Sequence, residues 1–233
     1  MDQILQMQTE MQVLSQAQHP NIVQLLGSCM DEDSPCLVYP LMEGGSLQDR
    51  LACIQTGQVP LTATERMIVL FDVVRGLAFL HSEVKVIHRD FTCASVVLDR
   101  NCVGCISNFG IAKPAIDTGG VTATNFHTLD VVGTLGYMSP EYLRGLSLKV
   151  DTFAFGLFVL EVLTGYSINN PAPGYKNLLL MFEDEFDSPD KLCRTLTQLL
   201  AGNCTNQSVS VHFTTSPTAA SICGAIAAQQ LST

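Results

Sequence analysis

The side chains of this chain with the means to do chemistry are concentrated between positions 86 and 110. His88, Arg89 and Asp90 are consecutive, so an imidazole, a guanidinium and a carboxylate share one short stretch. Such a carboxylate is able to accept a proton; the plainer alternative is that the three residues only brace a turn. Thr92, Ser95 and Asn108 follow, adding two hydroxyls and an amide. Their oxygens are neutral, whereas a hard divalent cation prefers anionic oxygen. The stretch is rich in hydrogen-bonding groups and poor in the charges that hold metal or phosphate.

Several elements must position these residues. Ile4, Leu5, Met7, Met11 and Leu14 recur at helical spacing over residues 3–17, and Pro20 ends that helix. Apolar runs at 22–26 and 36–39, separated by Asp31-Glu32-Asp33, read as an antiparallel pair. Gly44-Gly45-Ser46 reads as a loop and a helix cap. Residues 61–82 form a long helix whose buried face is expected from Ile68, Leu70, Val73, Val74, Leu77 and Leu80. Residues 96–98 and 103–106 read as short strands around Asp99-Arg100-Asn101. The Thr- and Gly-rich stretch 111–135 reads as a flexible segment, and residues 149–165 as a helix buried on most sides.

Composition limits the function. The 233 residues are 47% hydrophobic and 15% charged, which is a globular balance. A net charge of −10 speaks against nucleic acid or anionic membrane as partner, because both reward clustered Lys and Arg. No apolar run reaches the roughly 18–20 residues that span a bilayer. The N-terminal residues lack the basic-then-apolar pattern of a secretory signal, so a cytoplasmic location is expected. Nine cysteines are scattered without scaffold spacing, and most are expected as free, buried thiols. Cys102 and Cys105 form a C-x-x-C without a second pair, which reads as two thiols around a strand. The sequons at Asn203 and Asn206 carry little weight without a signal peptide.

The order of the motifs resembles the protein kinase fold, joined partway along. Glu10 with Gln18-His19-Pro20-Asn21-Ile22-Val23-Gln24-Leu25-Leu26-Gly27 is similar to the small lobe's helix C and the strand after it. Cys36-Leu37-Val38-Tyr39-Pro40-Leu41-Met42-Glu43-Gly44-Gly45-Ser46 resembles the next strand and the hinge, with Tyr39 at the gatekeeper position. His88-Arg89-Asp90 and Asn108-Phe109-Gly110 resemble the catalytic and metal-binding loops. Gly133-Thr134-Leu135-Gly136-Tyr137-Met138-Ser139-Pro140-Glu141 resembles the end of an activation segment, and Asp151-Thr152-Phe153-Ala154-Phe155-Gly156 the start of a buried helix. The wording is nearest to the interleukin-1-receptor-associated, Pelle and plant receptor-like kinase group, and a tyrosine gatekeeper points to its animal branch.

The resemblance implies an α+β, protein-kinase-like fold. It is mostly the helical large lobe, with helix C and part of the small-lobe sheet. The glycine-rich loop and the lysine-bearing strand would fall upstream of residue 1. Residues 1–190 would form this partial kinase domain. Residues 191–233 would be a tail, with no Asp, Glu, Lys or Arg from position 195 onward. Asp90 takes the proton-acceptor position. Thr92 stands where the catalytic loop carries lysine, Ser95 where it carries asparagine, and Asn108 where an aspartate would hold Mg²⁺. Tyr39, Met42 and Val97 take the adenine and hinge positions, and Glu10 would pair with the upstream lysine. Asp151 would hold the backbone of the catalytic turn. Leu14, Leu25, His88 and Phe109 fall on a packed spine. Thr122, Thr124 and above all Thr128 are candidate phosphoacceptors, with Arg89 and Lys113 as cationic partners.

ATP and Mg²⁺ are therefore the implied cofactors, with weak or no binding expected here. The reading is a pseudokinase of the Ser/Thr type that acts through other signalling proteins or kinases. The alternatives are a fragment of an ATP-dependent protein Ser/Thr kinase and a non-functional or mispredicted gene product.

Overall fold

A computed structural model describes residues 3–31, 34–52, 60–115, 132–139, 142, 146–185, 188, 191, 194–196 and 198. Four helices carry most of the packing: α1 (Gln3–Leu14), α2 (Leu47–Leu51), α3 (Ala63–Phe79) and α4 (Leu148–Thr164). Seven short strands form three small sheets among the described residues. β1 (Gly27–Cys29) pairs with β2 (Cys36–Val38), and β4 (Val86–Ile87) with β7 (Lys113–Pro114), both antiparallel. β3 (Gly45–Ser46), β5 (Val96–Leu98) and β6 (Gly104–Ile106) form the third sheet, with β5 central. This is the expected α+β arrangement, and among the described residues no helix is long and apolar enough to cross a membrane.

Helix α3 begins at a reciprocal cap. Thr62 Oγ1 accepts from Glu65 N (3.2 Å) while Glu65 Oε2 accepts from Thr62 N (2.7 Å) and Thr62 Oγ1 (2.8 Å). This satisfies donors that a helix start leaves orphaned. Burial works against the Glu65 carboxylate, but the Thr62 bonds hold its pKa below the usual range. The buried face runs along Arg66, Val69, Leu70, Val73 and Leu77, a helical stripe. The expected place of Ile68 on this face is wrong: it lies on the opposite side of the turn and is exposed. Val74 is half-buried. The Arg66 guanidinium, itself buried, donates from Nε to Leu61 O (3.2 Å) and from Nη1 to Val162 O (2.9 Å), tying the start of α3 to the end of α4. Such a charge is tolerated inside because carbonyl oxygens receive its protons.

Helix α4 is buried along nearly all of its second half, from Leu157 to Thr164, as its apolar run requires. It stops at Gly165, whose φ of +73° supplies the left-handed cap. The α3–α4 pair and the aromatic group Phe91, Phe155 and Phe158 form the centre of the core.

Two other expectations are corrected. The first strand of the 22–26/36–39 pair is displaced to Gly27–Cys29. Residues 21–23 instead run beside β6, with Val23 N donating to Ile106 O (2.9 Å) and Ile106 N to Asn21 O (2.9 Å). Their backbone is already partnered there, so the ladder to β2 starts only beyond Leu26. The apolar seam of α1 is buried only at its end, at Val13 and Leu14; Ile4 and Leu5 are exposed. An apolar stripe is buried only where another element lies against it.

Gly76 on α3 shows how tightly this frame is closed. A Cβ there would stand 2.7 Å from Asn21 O and 3.0 Å from Ile106 Cδ1. Gly76→Ala would gain about 0.5–1 kcal/mol of helix preference, but forced overpacking costs about 1–3 kcal/mol. The expected outcome is a lower urea midpoint, and a raised midpoint would show that the Asn21 segment yields freely.

Candidate functional site

The turn at His88–Asp90 is held from beneath by one carboxylate. Asp151, on the first turn of α4 and 0% exposed, accepts from His88 N (2.7 Å), Arg89 N (2.9 Å) and His81 Nε2 (2.8 Å). Arg89 adopts φ +71°, a left-handed conformation that costs a non-glycine residue about 1 kcal/mol or more. The two backbone bonds to Asp151 stabilise it. His88 is fully buried; its Nε2 donates to Ser107 O (2.9 Å) and its Nδ1 accepts from Asp90 N (3.3 Å). Its ring lies 5.0 Å from that of Phe109, which joins Leu14 in the core, with Leu25 against it. The Arg89 guanidinium is buried too, donating to Ile111 O (3.1 Å) and Tyr142 Oη (2.8 Å).

Thr92 and Ser95 serve each other. Thr92 N donates to Ser95 Oγ (2.9 Å), Ser95 Oγ donates to Thr92 O (2.9 Å), and Thr92 Oγ1 accepts from Ala94 N (3.2 Å). This reciprocal cap closes the 3₁₀ turn Cys93–Ser95 that delivers the chain into β5. Both residues are buried, Ser95 completely. Neither hydroxyl is left facing a ligand.

Asp90 and Asn108 meet at the open side of the turn. Asn108, at φ +67°, donates from Nδ2 to Asp90 Oδ2 (3.1 Å). With the amide turned the other way two acceptors would face each other, so this orientation is the favoured one. Asp90 Oδ1 accepts from Thr134 N (2.9 Å) and Thr134 Oγ1 (2.6 Å). The segment that carries Thr134 is fixed to α4 by Tyr137, whose hydroxyl donates to the buried Glu161 carboxylate. Burial, with Cys93 and Glu161 beside it, holds the Tyr137 hydroxyl far above the phenol range, so it remains a donor.

Tyr39 follows directly on β2. Burial and the neighbouring Glu10 carboxylate on α1 push its hydroxyl above the usual range, so these two residues are together. Met42 O accepts from Gly45 N (3.0 Å), forming the turn into β3. A Cβ at Gly44 would lie 2.7 Å from Asp99 O, so that turn passes against the end of β5. Val97 pairs with Ser46 and Cys105 and is half-buried, on the face opposite the fully buried Val96 and Leu98. None of these residues lines the hollow of about 510 Å³ between the end of α1 and residues 15–25.

Thr122, Thr124 and Thr128, Pro140 and Glu141, and residues 199–233 of the tail lie outside the described residues. The sequence did not point to Thr134, His81 or Tyr142 as partners of Asp90, Asp151 and Arg89. Each lies 44 to 70 positions from its partner, so no local spacing marks them.

Comparison with known proteins agrees with this geometry. The family model described as protein kinase domain matches residues 1–217. The chain is 38% identical over 199 residues to receptor-like cytoplasmic kinase 176 of Oryza sativa subsp. japonica, covering 83% of this chain and 49% of that one. It is 36% identical over 199 residues to probable serine/threonine-protein kinase PBL11 of Arabidopsis thaliana, at 83% and 50% coverage. A third relative, U-box domain-containing protein 34 of Arabidopsis thaliana, is 37% identical over 172 residues, at 72% and 21%. The chain spans about half the length of the first two. With a buried carboxylate under the His-Arg-Asp turn and a kinase-domain match over most of its length, the chain belongs to the protein kinase family.

Proposed function

We propose that this chain is a pseudokinase: a kinase-fold signalling protein that acts through protein contacts and transfers phosphate poorly or not at all. The observation that carries the reading is the mutual bonding of the substituted positions. Protein kinases position ATP with Mg²⁺, and the metal neutralises charge on the transferring phosphoryl group. The residues at these positions do not suit that ion. Asn108 presents an N–H to Asp90, and Ser95 is buried in a cap with Thr92. Thr92 brings no positive charge to a phosphate. Loss of one preorganised electrostatic group costs about 10²–10³ in rate. Several such losses act on one unit and do not simply multiply.

Asp90 retains the position of a proton acceptor, with Thr134 bonded to one oxygen. That retention supports the second reading, a portion of an ATP-dependent Ser/Thr kinase, as does the similarity to kinase relatives. Tyr39 at the gatekeeper position beside Glu10 supports a place near the interleukin-1-receptor-associated and Pelle branch. A phosphate on Thr128 would have to compete with Ile111 O and Tyr142 for the Arg89 guanidinium. Partners in this reading are other signalling proteins, at a cytoplasmic site.

Two measurements separate the readings, and a third tests the cap. Expressed at the full length its gene encodes, the protein is expected to transfer labelled phosphate no faster than its Asp90→Ala variant. Transfer that disappears in the variant would overturn the pseudokinase reading. Asn108→Asp sets two carboxylates about 3 Å apart, which favours a shared proton or a bound cation. The variant is expected to show a Mg²⁺-dependent rise in melting temperature that the parent lacks. Ser95→Ala leaves the buried Thr92 N–H without its acceptor, which costs about 1–3 kcal/mol. Denaturant unfolding should register that loss, and an unchanged midpoint would contradict the capping role.

A further inference from the structure

The first hairpin sets two thiols face to face. Cys29 on β1 and Cys36 on β2 are register partners in the antiparallel ladder. Both are free, and against the expected burial both are exposed, because they lie on a two-stranded ribbon. Directly opposed residues of an antiparallel pair stand about 4.5–5.5 Å apart at Cα and point to the same face. A disulfide bridges Cα separations of about 4.4–6.8 Å. The register therefore places the two thiols within the range that a disulfide spans.

The other described cysteines differ in kind. Cys93 is buried, and burial with the nearby Glu161 carboxylate holds its thiol well above the usual range. Cys105 is buried, is pushed up to about 11, and donates to Pro20 O (3.3 Å). Cys102 donates to Glu65 Oε1 (3.6 Å), and burial and that carboxylate raise its pKa. Thiols held protonated are poor nucleophiles. Among the described cysteines, then, the two that are exposed are also the two that oppose each other.

We propose that Cys29 and Cys36 are a redox modification site, closing to a reversible disulfide that clamps the β1–β2 hairpin. The inference is independent of whether the chain transfers phosphate. The oxidant is a peroxide. One thiolate attacks the O–O bond, which breaks to give a sulfenic acid and, after protonation, one water. The opposing sulfur then attacks the sulfenic sulfur, forming the S–S bond as the S–O bond breaks and a second water leaves. Two thiols lose two hydrogens and two electrons, and one hydrogen peroxide becomes two waters. An exposed disulfide of this kind is readily reduced by other thiols.

The clamp acts on a two-stranded sheet. An isolated two-stranded ribbon is marginal in water, and this one is bounded by the bond from Leu26 N to Val38 O (2.8 Å). Tyr39 follows immediately after β2 and lies beside Glu10, so fixing the ribbon fixes the approach to the hinge.

The test uses the whole chain. Treat the reduced protein with limiting hydrogen peroxide, alkylate the remaining thiols, and digest at acidic residues, which splits the hairpin at Asp31, Glu32 and Asp33. The expected product is a cross-linked pair containing Cys29 and Cys36, dominant over any pair with Cys93, Cys102 or Cys105, and opened by dithiothreitol. Amide exchange across β1 and β2 should slow several-fold on oxidation, and not in Cys29→Ser or Cys36→Ser. Reduced protein should also bind phenylarsine oxide, a dithiol reagent, with loss of that binding in either variant. Separate alkylation of Cys29 and Cys36 after peroxide, or cross-links spread over other cysteines, would overturn the site. Exchange unchanged by a confirmed cross-link would overturn the clamp.

Discussion

The site depends on the buried carboxylate of Asp151. A charge with no exposure to water is strongly destabilising unless hydrogen bonds receive it. Here three donors do, the backbone amides of His88 and Arg89 and the ring of His81. The dependence runs both ways. Arg89 sits at a positive φ that its side chain disfavours, and the pair of amide bonds to Asp151 holds it there. From that fixed turn His88 is driven into the core against Phe91 and Phe109. Asp90 is turned outward, where Asn108 and Thr134 reach it. Helix α4 supplies the rigidity, because its second half is enclosed and cannot shift without opening the core.

Within this frame Thr92, Ser95 and Asn108, the positions that the kinase resemblance marks as substituted, are internally bonded. Thr92 and Ser95 satisfy one another and close a turn. Asn108 neutralises by hydrogen bonding what a second carboxylate would have made a repulsion. Such a site holds its shape without a metal, since the Asp90 carboxylate and the Thr92, Ser95 and Asn108 side chains each have a protein partner. Retained packing with internally bonded polar groups is the physical content of the pseudokinase reading.

Much of the fold could be read in advance. The apolar run of α4, the stripe of α3 and the strands around Asp99-Arg100-Asn101 follow from local pattern, and the structure agrees closely. Asp99 accounts for the turn itself by accepting from Asn101 N (2.7 Å) and Val103 N (2.8 Å). The misplacements share a cause. Ile68 is apolar but sits on the wrong side of a helix whose buried face includes Arg66, a cation that no hydrophobic pattern would choose. Residues 22–26 have strand composition, but the backbone at 21–23 is engaged by β6, more than 80 positions away. The seam of α1 is regular along its length and is covered only at its end.

The sequence by itself determined the family, the order of the elements and which charges stand in the catalytic loop, because these are properties of residue type and spacing. Only the tertiary structure decided what the altered residues do. Nothing in the spacing of Thr92 and Ser95 says that they cap each other, and nothing in Asn108 says that it bonds Asp90. Likewise two cysteines seven positions apart become register partners only once β1 and β2 pair. A hydrogen bond or a disulfide needs atoms within a few ångströms, and long-range packing alone sets that distance.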